Sequence, residues 1–176
     1  KSRAAVSFSG HERDHLFVND RGGKLFTDVA GVSGIDSDSD GRAGAFFDYD
    51  RDGYLDIAVT SNNAPLLQLF RNNLGDDRRS AGRDDGKFVA FRFVGGSRSA
   101  APAQGLSNRD GVGARVQVHR ADGTILLREA HCGEGFAAQN SRTLHVGIGA
   151  NASASKVVVR WPSGKTQELS DVAAGQ

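Results

Sequence analysis

The chain has 176 residues, which is long enough for one or two domains that each bury a hydrophobic core. Acidic and basic residues nearly balance, so the formal net charge of +1 indicates no general preference for nucleic acid, an anionic membrane or an acidic partner. A single cysteine, Cys132, excludes an internal disulfide, and cysteine pairing therefore identifies no cellular compartment. The sequence contains no run of 18 apolar residues and no signal-peptide core, so we predict no direct membrane insertion.

The N-terminal half is predicted to form short β-strands. Five apolar bursts of strand length, each bounded by Gly, Asp or Asn, cover residues 15–19, 24–30, 43–48, 55–61 and 66–72. The tetrapeptide LFVN, which begins at Leu16, returns as LFRN at Leu69. This spacing of 53 residues is close to the ~40 to 50 residues of a four-stranded propeller blade. The pattern favours an all-β fold with one or more partial propeller blades in this half.

The segment GDDRRSAGRDDGK, residues 75–87, is predicted to be a solvated loop or linker between two domains, 1–83 and 84–176. It contains no apolar residue larger than alanine, and it carries both charge signs. Its four aspartates neutralise Arg78, Arg79 and Arg83, and no aromatic residue is interleaved with them for base stacking. We therefore predict no nucleic-acid partner.

The C-terminal half shows a more regular alternation of apolar and polar residues. Predicted strands cover residues 87–95, 113–120, 124–131, 143–149, 156–162 and 166–170. In the second of these, Ala114, Val116 and Val118 share one face while polar residues share the other, as in a sheet that packs on a core with one face only. The turn sequences ADG at 121–123 and PSG at 162–164 predict two hairpins. Six such strands predict a small antiparallel β-sandwich.

The stretch DYDRDGYLD, residues 48–56, concentrates four aspartates between two strand-like runs. Each close pair of carboxylates repels by up to ~4 kcal/mol at the effective dielectric of a protein surface. The spacing D-x-D-x-D-G-x-x-D can wrap oxygen atoms around one hard cation, and Gly53 permits the sharp turn. Ca²⁺ suits this set because it accepts six to eight oxygen ligands in loose geometry. The predicted metal ligands are Asp48, Asp50, Asp52, Asp56 and the carbonyl oxygen of Tyr54.

Other interpretations of this stretch fit less well. Mg²⁺ requires a strict octahedron, Zn²⁺ requires nitrogen or sulfur ligands, and an EF-hand requires flanking helices and a glutamate where Val59 stands. The remaining alternative is a polar hairpin whose aspartates only form Asx-turns. A second cluster, DSDSDG at 36–41, repeats the first half of the pattern without the closing carboxylate. It leaves open whether Asp36, Asp38 and Asp40 bind a second ion or form a solvated turn.

Two blocks of the sequence resemble known families. AGAFFDYDRDGYLDIAVTSN resembles an FG-GAP or VCBS repeat, the calcium-looped blade unit of integrin-like β-propellers. SNRDGVGARVQVH, REAHCGEGFAAQNSRTLHVGIG and VVVRWPSGKTQEL together resemble the ASPIC/UnbV domain, which follows such repeats in the cartilage acidic protein family and its bacterial relatives. The resemblance implies calcium at the aspartate loop and no catalytic residues. Family members carry several repeats, so we expect a piece of a longer protein or a reduced member.

The resemblance also implies a function. We expect a non-catalytic, calcium-stabilised structural or interaction module that docks onto a larger protein assembly, with a membrane-associated complex among the candidate partners. Its expected location is extracytoplasmic, whether periplasmic, cell-surface or secreted, because such repeats occur there and weak calcium sites work at ~0.1 to 1 mM outside cells. The alternatives are a carbohydrate-binding module and an enzyme of natural-product biosynthesis.

Other reactive side chains carry weaker chemical signals. His119, His131 and His145 could meet on a sheet face as a transition-metal site, although each fits an ordinary strand position. Cys132 follows a strand, as inert cysteines often do. Phe136 is predicted to anchor its glycine-rich turn to the core.

Overall fold

The structure is a computed structural model that describes residues 10, 12–20, 22–83 and 86–175. Asp84, the first residue of the second predicted domain, lies outside the described residues. Neither helix within these ranges has the length and hydropathy needed to cross a lipid bilayer.

The described chain is all-β, with 41% of residues in strands and 7% in helices, which confirms the all-β part of the prediction. Each strand overlaps one of the segments predicted from alternation and turn residues. The elements in chain order are β1 (Phe17–Asp20), β2 (Leu25–Asp28), α1 (Ala30–Ser33), β3 (Gly41–Phe47), β4 (Asp56–Ser61), β5 (Leu67–Phe70), α2 (Leu74–Ser80), β6 (Lys87–Arg92), β7 (Arg115–His119), β8 (Ile125–Glu129), β9 (Thr143–Gly149), β10 (Ser153–Arg160) and β11 (Thr166–Ala173).

The N-terminal half contains the β1–β2 hairpin and an antiparallel sheet in the order β3-β4-β5. Apolar residues occupy both faces of this sheet: Ala45, Ala58 and Leu69 lie in register on one face, and Phe46, Ile57 and Phe70 on the other. Of the residues in these three strands, two polar ones are buried, Asp56 and Ser61. A sheet with two apolar faces is typical of one that packs between neighbours.

The C-terminal half contains the main hydrophobic core. Its sheets have the strand orders β11-β10-β7-β8 and β6-β9, and the described sheets are all open. The predicted inward face of residues 113–120, which include β7, is confirmed, because Ala114, Val116 and Val118 are fully buried. Strands from both sheets contribute to one cluster, whose members are Val89, Phe93, Ala114, Val116, Val118, Val146, Ile148, Ala154, Val157 and Val159. The predicted hairpins join β7 to β8 and β10 to β11.

Two details differ from the sequence predictions. The segment predicted as a loop begins with helix α2, which is stabilised because Asp76 lies in its first turn and Arg79 in its last turn, where each charge complements the helix dipole. These two residues also form an i,i+3 ion pair at 2.7 Å. Phe136 is 76% exposed, so the prediction that it anchors its turn to the core was wrong.

Candidate metal centre

The acidic loop, residues 48–56, joins β3 to β4 at the point where Phe47 pairs with Asp56. Two of its residues have left-handed backbone conformations, Arg51 with φ 62° and Gly53 with φ 92°. Glycine adopts this conformation without the steric penalty of a Cβ atom, which explains its place at the turn. Both left-handed residues lie in the middle of the loop, where the chain turns from β3 into β4.

Three of the predicted ligands lie close together. Asp48, Asp50 and Asp56 each present a carboxylate oxygen, and these oxygens lie within 4.8 Å of one another. Two oxygens bound to the same Ca²⁺ at ~2.4 Å can be at most about 4.8 Å apart. The spacing and the all-oxygen donor set therefore fit one calcium ion.

Asp56 is the most deeply buried acidic side chain of the group. It is 1% exposed, and its two oxygens accept hydrogen bonds from the backbone N–H groups of Tyr49 at 3.0 Å and Asn72 at 2.8 Å. Within the described part of the chain, its carboxylate makes no salt bridge with a Lys, Arg or His side chain. Buried charges in proteins are normally paired or coordinate a metal, so Asp56 is the strongest structural indication of a cation here.

Asp48 connects the acidic loop to the C-terminal half. Its carboxylate accepts hydrogen bonds from the N–H groups of Asp52 at 3.1 Å and Gly53 at 3.0 Å. On the other side, the Nε2 atom of His145 in β9 lies 3.5 Å from its Oδ2 atom, and the Asp48 side chain is only 8% exposed. The position of His145 depends on the pairing of β9 with β6, so local sequence patterns did not reveal this contact.

Arg71 lies at the outer side of the acidic loop. Its guanidinium group donates to Asp50 at 2.6 Å and to Asp76 at 2.6 Å, and it lies 3.4 Å from Asp52. The hydrogen bond from Arg71 holds the pKa of Asp50 below its usual range. Asp52 is not part of the close group of three, because one of its oxygens accepts the Tyr54 N–H at 2.9 Å and the other faces Arg71.

At the outer side of the acidic loop, the guanidinium groups of Arg71 and Arg79 pair with Asp50, Asp52 and Asp76. The backbone hydrogen bonds correspond to the Asx-turn alternative, but they do not exclude a metal, because a carboxylate oxygen has more than one lone pair. The contribution of Asp52 and of the Tyr54 carbonyl oxygen as ligands stays a prediction.

The second aspartate cluster is arranged differently. Asp36 forms an ion pair with Arg13 at 2.7 Å, Asp40 pairs with Arg42, and Asp38 is exposed. Asp36 and Asp40 thus face different arginines, and the close group of three acidic oxygens found in the described ranges includes none of the three aspartates. Nor does the structure bring the three predicted histidines together in such a group.

Comparisons with known proteins support the C-terminal resemblance. The chain is 26% identical over 172 residues to cartilage acidic protein 1 of Homo sapiens, a match that covers 97% of this chain and 23% of that protein. This chain therefore spans about a quarter of the length of that relative. Residues 104–176 match the protein family described as ASPIC and UnbV, which confirms the resemblance to this domain for the C-terminal segment.

Proposed function

We propose that this chain is a non-catalytic, calcium-stabilised β module that supports protein–protein association outside the cytoplasm. The observation that carries the proposal is the burial of the Asp56 carboxylate beside Asp48 and Asp50. Within the described residues, no cationic side chain forms a salt bridge with Asp56 itself. These three residues would hold the ion. Bound Ca²⁺ would neutralise their charges, and the backbone hydrogen bonds of the acidic loop would keep the β3–β4 hairpin in one conformation.

In this proposal the β3-β4-β5 sheet is an FG-GAP/VCBS-type blade, and the sheets of the C-terminal half form a small sandwich. The apolar character of both faces of the blade supports the first assignment. The single core cluster shared by β6, β7, β9 and β10 supports the second.

Exposed apolar residues on β5 and immediately before it favour an association module over an enzyme or a carbohydrate binder. Leu66, Leu67 and Leu69 are all more than half exposed, and within the described residues β5 pairs with a neighbour on one side only. Open strand edges and exposed apolar patches are typical of surfaces that pair with another chain. An extracytoplasmic location agrees with the weak, millimolar-range calcium sites of extracellular modules.

The test is a thermal melt of the full chain in CaCl₂ and in EGTA at matched ionic strength, with MgCl₂ as the control cation and calorimetric titration as the direct binding measurement. A ligand at one hundred times its dissociation constant adds about 2.7 kcal/mol to the free energy of unfolding, so we expect a higher Tm in CaCl₂. An unchanged Tm together with no binding heat would refute the proposal.

A further inference from the structure

The acidic loop forms direct contacts with the sheet that begins the C-terminal half. Gly53 lies against the ring of Phe88 in β6, so closely that a methyl group at Gly53 would overlap the ring. The Phe88 ring also lies 5.4 Å from the His145 ring, centroid to centroid. His145 also contacts Asp48, which is a candidate metal ligand. The Asp48 carboxylate, the His145 imidazole, the Phe88 ring and Gly53 therefore form one continuous chain of contacts.

Tyr54 makes a second set of contacts across the same junction. A methyl group on Gly75 of α2 would lie 2.5 Å from a Tyr54 ring carbon, and a methyl group on Gly86 would overlap the Tyr54 hydroxyl. Any side chain at either glycine would therefore displace the ring. Tyr54 occupies a slot that exists because both positions lack a Cβ atom.

The position of Phe88 in the sheet brings its ring to the acidic loop. Its partner across the β6–β9 ladder is Gly147, which has no side chain to support the ring. Its neighbours Val89 and Val146 belong to the C-terminal core. If the acidic loop moves, the packing of β6 and β9 therefore changes, although neither strand contains a predicted metal ligand.

We propose that the acidic loop is a calcium-dependent clamp that holds the β3–β4 hairpin against the β6–β9 sheet. This inference rests on the proposed function, because it requires an ion at Asp48, Asp50 and Asp56. In the absence of the ion, repulsion among these carboxylates opens the loop, and Gly53 and Tyr54 then leave Phe88 and the glycine slot. With the ion bound, both contacts persist, so calcium stabilises the β6–β9 sheet as well as the loop.

Hydrogen exchange of the full chain, followed by mass spectrometry in CaCl₂ and in EGTA, tests the clamp. We expect calcium to slow exchange in residues 48–56 and also in β6 and β9, by about fivefold or more, as in ordinary coupling between two sites. Gly75→Ala should block the Tyr54 slot but leaves the contact of Gly53 with Phe88 in place, so that calcium still protects the acidic loop but protects β6 and β9 less than in the wild type. The matched control is Gly31→Ala in α1, where a methyl group meets open space.

Calcium titration of each variant separates the possible outcomes. Calcium binding to the wild type without any change in β6 and β9 exchange would overturn the clamp and leave the proposed function intact. No calcium binding to the wild type would overturn both. If Gly75→Ala fails to fold, Tyr54→Ala provides the same test by removing the ring, and an undiminished β6 and β9 response in that variant would overturn the part of the clamp that is assigned to the Tyr54 slot.

Discussion

Gly53 is constrained both by its backbone conformation and by its packing. Its φ of 92° lies in the left-handed region, where other residues incur a penalty of about 1 to 2 kcal/mol. The Phe88 ring also fills the space that a Cβ atom would occupy, and overpacking adds about 1 to 3 kcal/mol. The glycine of the D-x-D-x-D-G pattern was predictable from the turn, whereas its contact with Phe88 was not, because 35 residues separate the two positions.

We therefore expect Gly53→Ala to lower the free energy of unfolding by about 2 to 5 kcal/mol, the sum of both penalties. Gly123→Ala is the matched control, because Gly123 has a similar φ of 83° and nothing within 4 Å of its added methyl group. Urea unfolding of both variants measures the difference. Equal destabilisation would show that the Phe88 contact contributes nothing to stability.

At the scale of elements, an ion-pair cluster connects the loop before β7 to the start of β9. Asp110 accepts hydrogen bonds from Arg109 at 2.9 Å and Arg142 at 2.8 Å. The hydrogen bond from Arg109 is the main cause that lowers the pKa of Asp110, and the positive charges of Arg142 and Arg92 add to it. Arg142 immediately precedes β9, so this cluster aligns two segments that are distant in the sequence.

This lowered pKa predicts a pH dependence of stability. A carboxyl group with a lower pKa in the folded state stabilises the fold above its unfolded pKa of about 3.9, and this contribution is lost as the pH falls through the folded pKa. We expect Asp110→Asn to be less stable than the wild type at pH 7, and the difference to shrink below about pH 4. Urea midpoints measured from pH 7 to pH 2.5 test this. A difference that stays constant over this range would contradict an electrostatic cause.

At the scale of the whole molecule, the two halves differ in how much apolar surface they bury. Among the described residues of the N-terminal half, Ala30 and Ile35 are the buried apolar side chains, whereas the C-terminal half contains the whole core cluster. Regions with few buried apolar contacts have a lower free energy of local unfolding. The N-terminal half therefore depends more strongly on the acidic loop for its stability.

Limited trypsin digestion should reflect this difference. In EGTA we expect early cleavage in the N-terminal half, for example after Arg51, and survival of a fragment that contains β6 to β11, because the core cluster protects those strands. Calcium should slow the early cleavage. First cleavage within β7 or β10, identified by mass spectrometry, would contradict this order of stability.

The local sequence was sufficient to predict the all-β class, the positions of the strands and the compact group of aspartates. Alternation with a period of two and glycine turns act over a few residues, so β7 and the acidic loop could be recognised without knowledge of their neighbours. Helix α2 was missed because its residues after Leu74 show no apolar periodicity and charges at its ends contribute to its stability.

The partners of the acidic loop were decided by tertiary structure. Arg71, Phe88 and His145 reach the loop through the pairing of β5 with β4 and of β9 with β6, and each lies at least 15 residues from the end of the loop in the sequence. The burial of Asp56 likewise results from segments that close over it after folding. A residue's neighbours along the chain specify local conformation, but the charge balance of a site depends on residues brought together from distant parts of the chain.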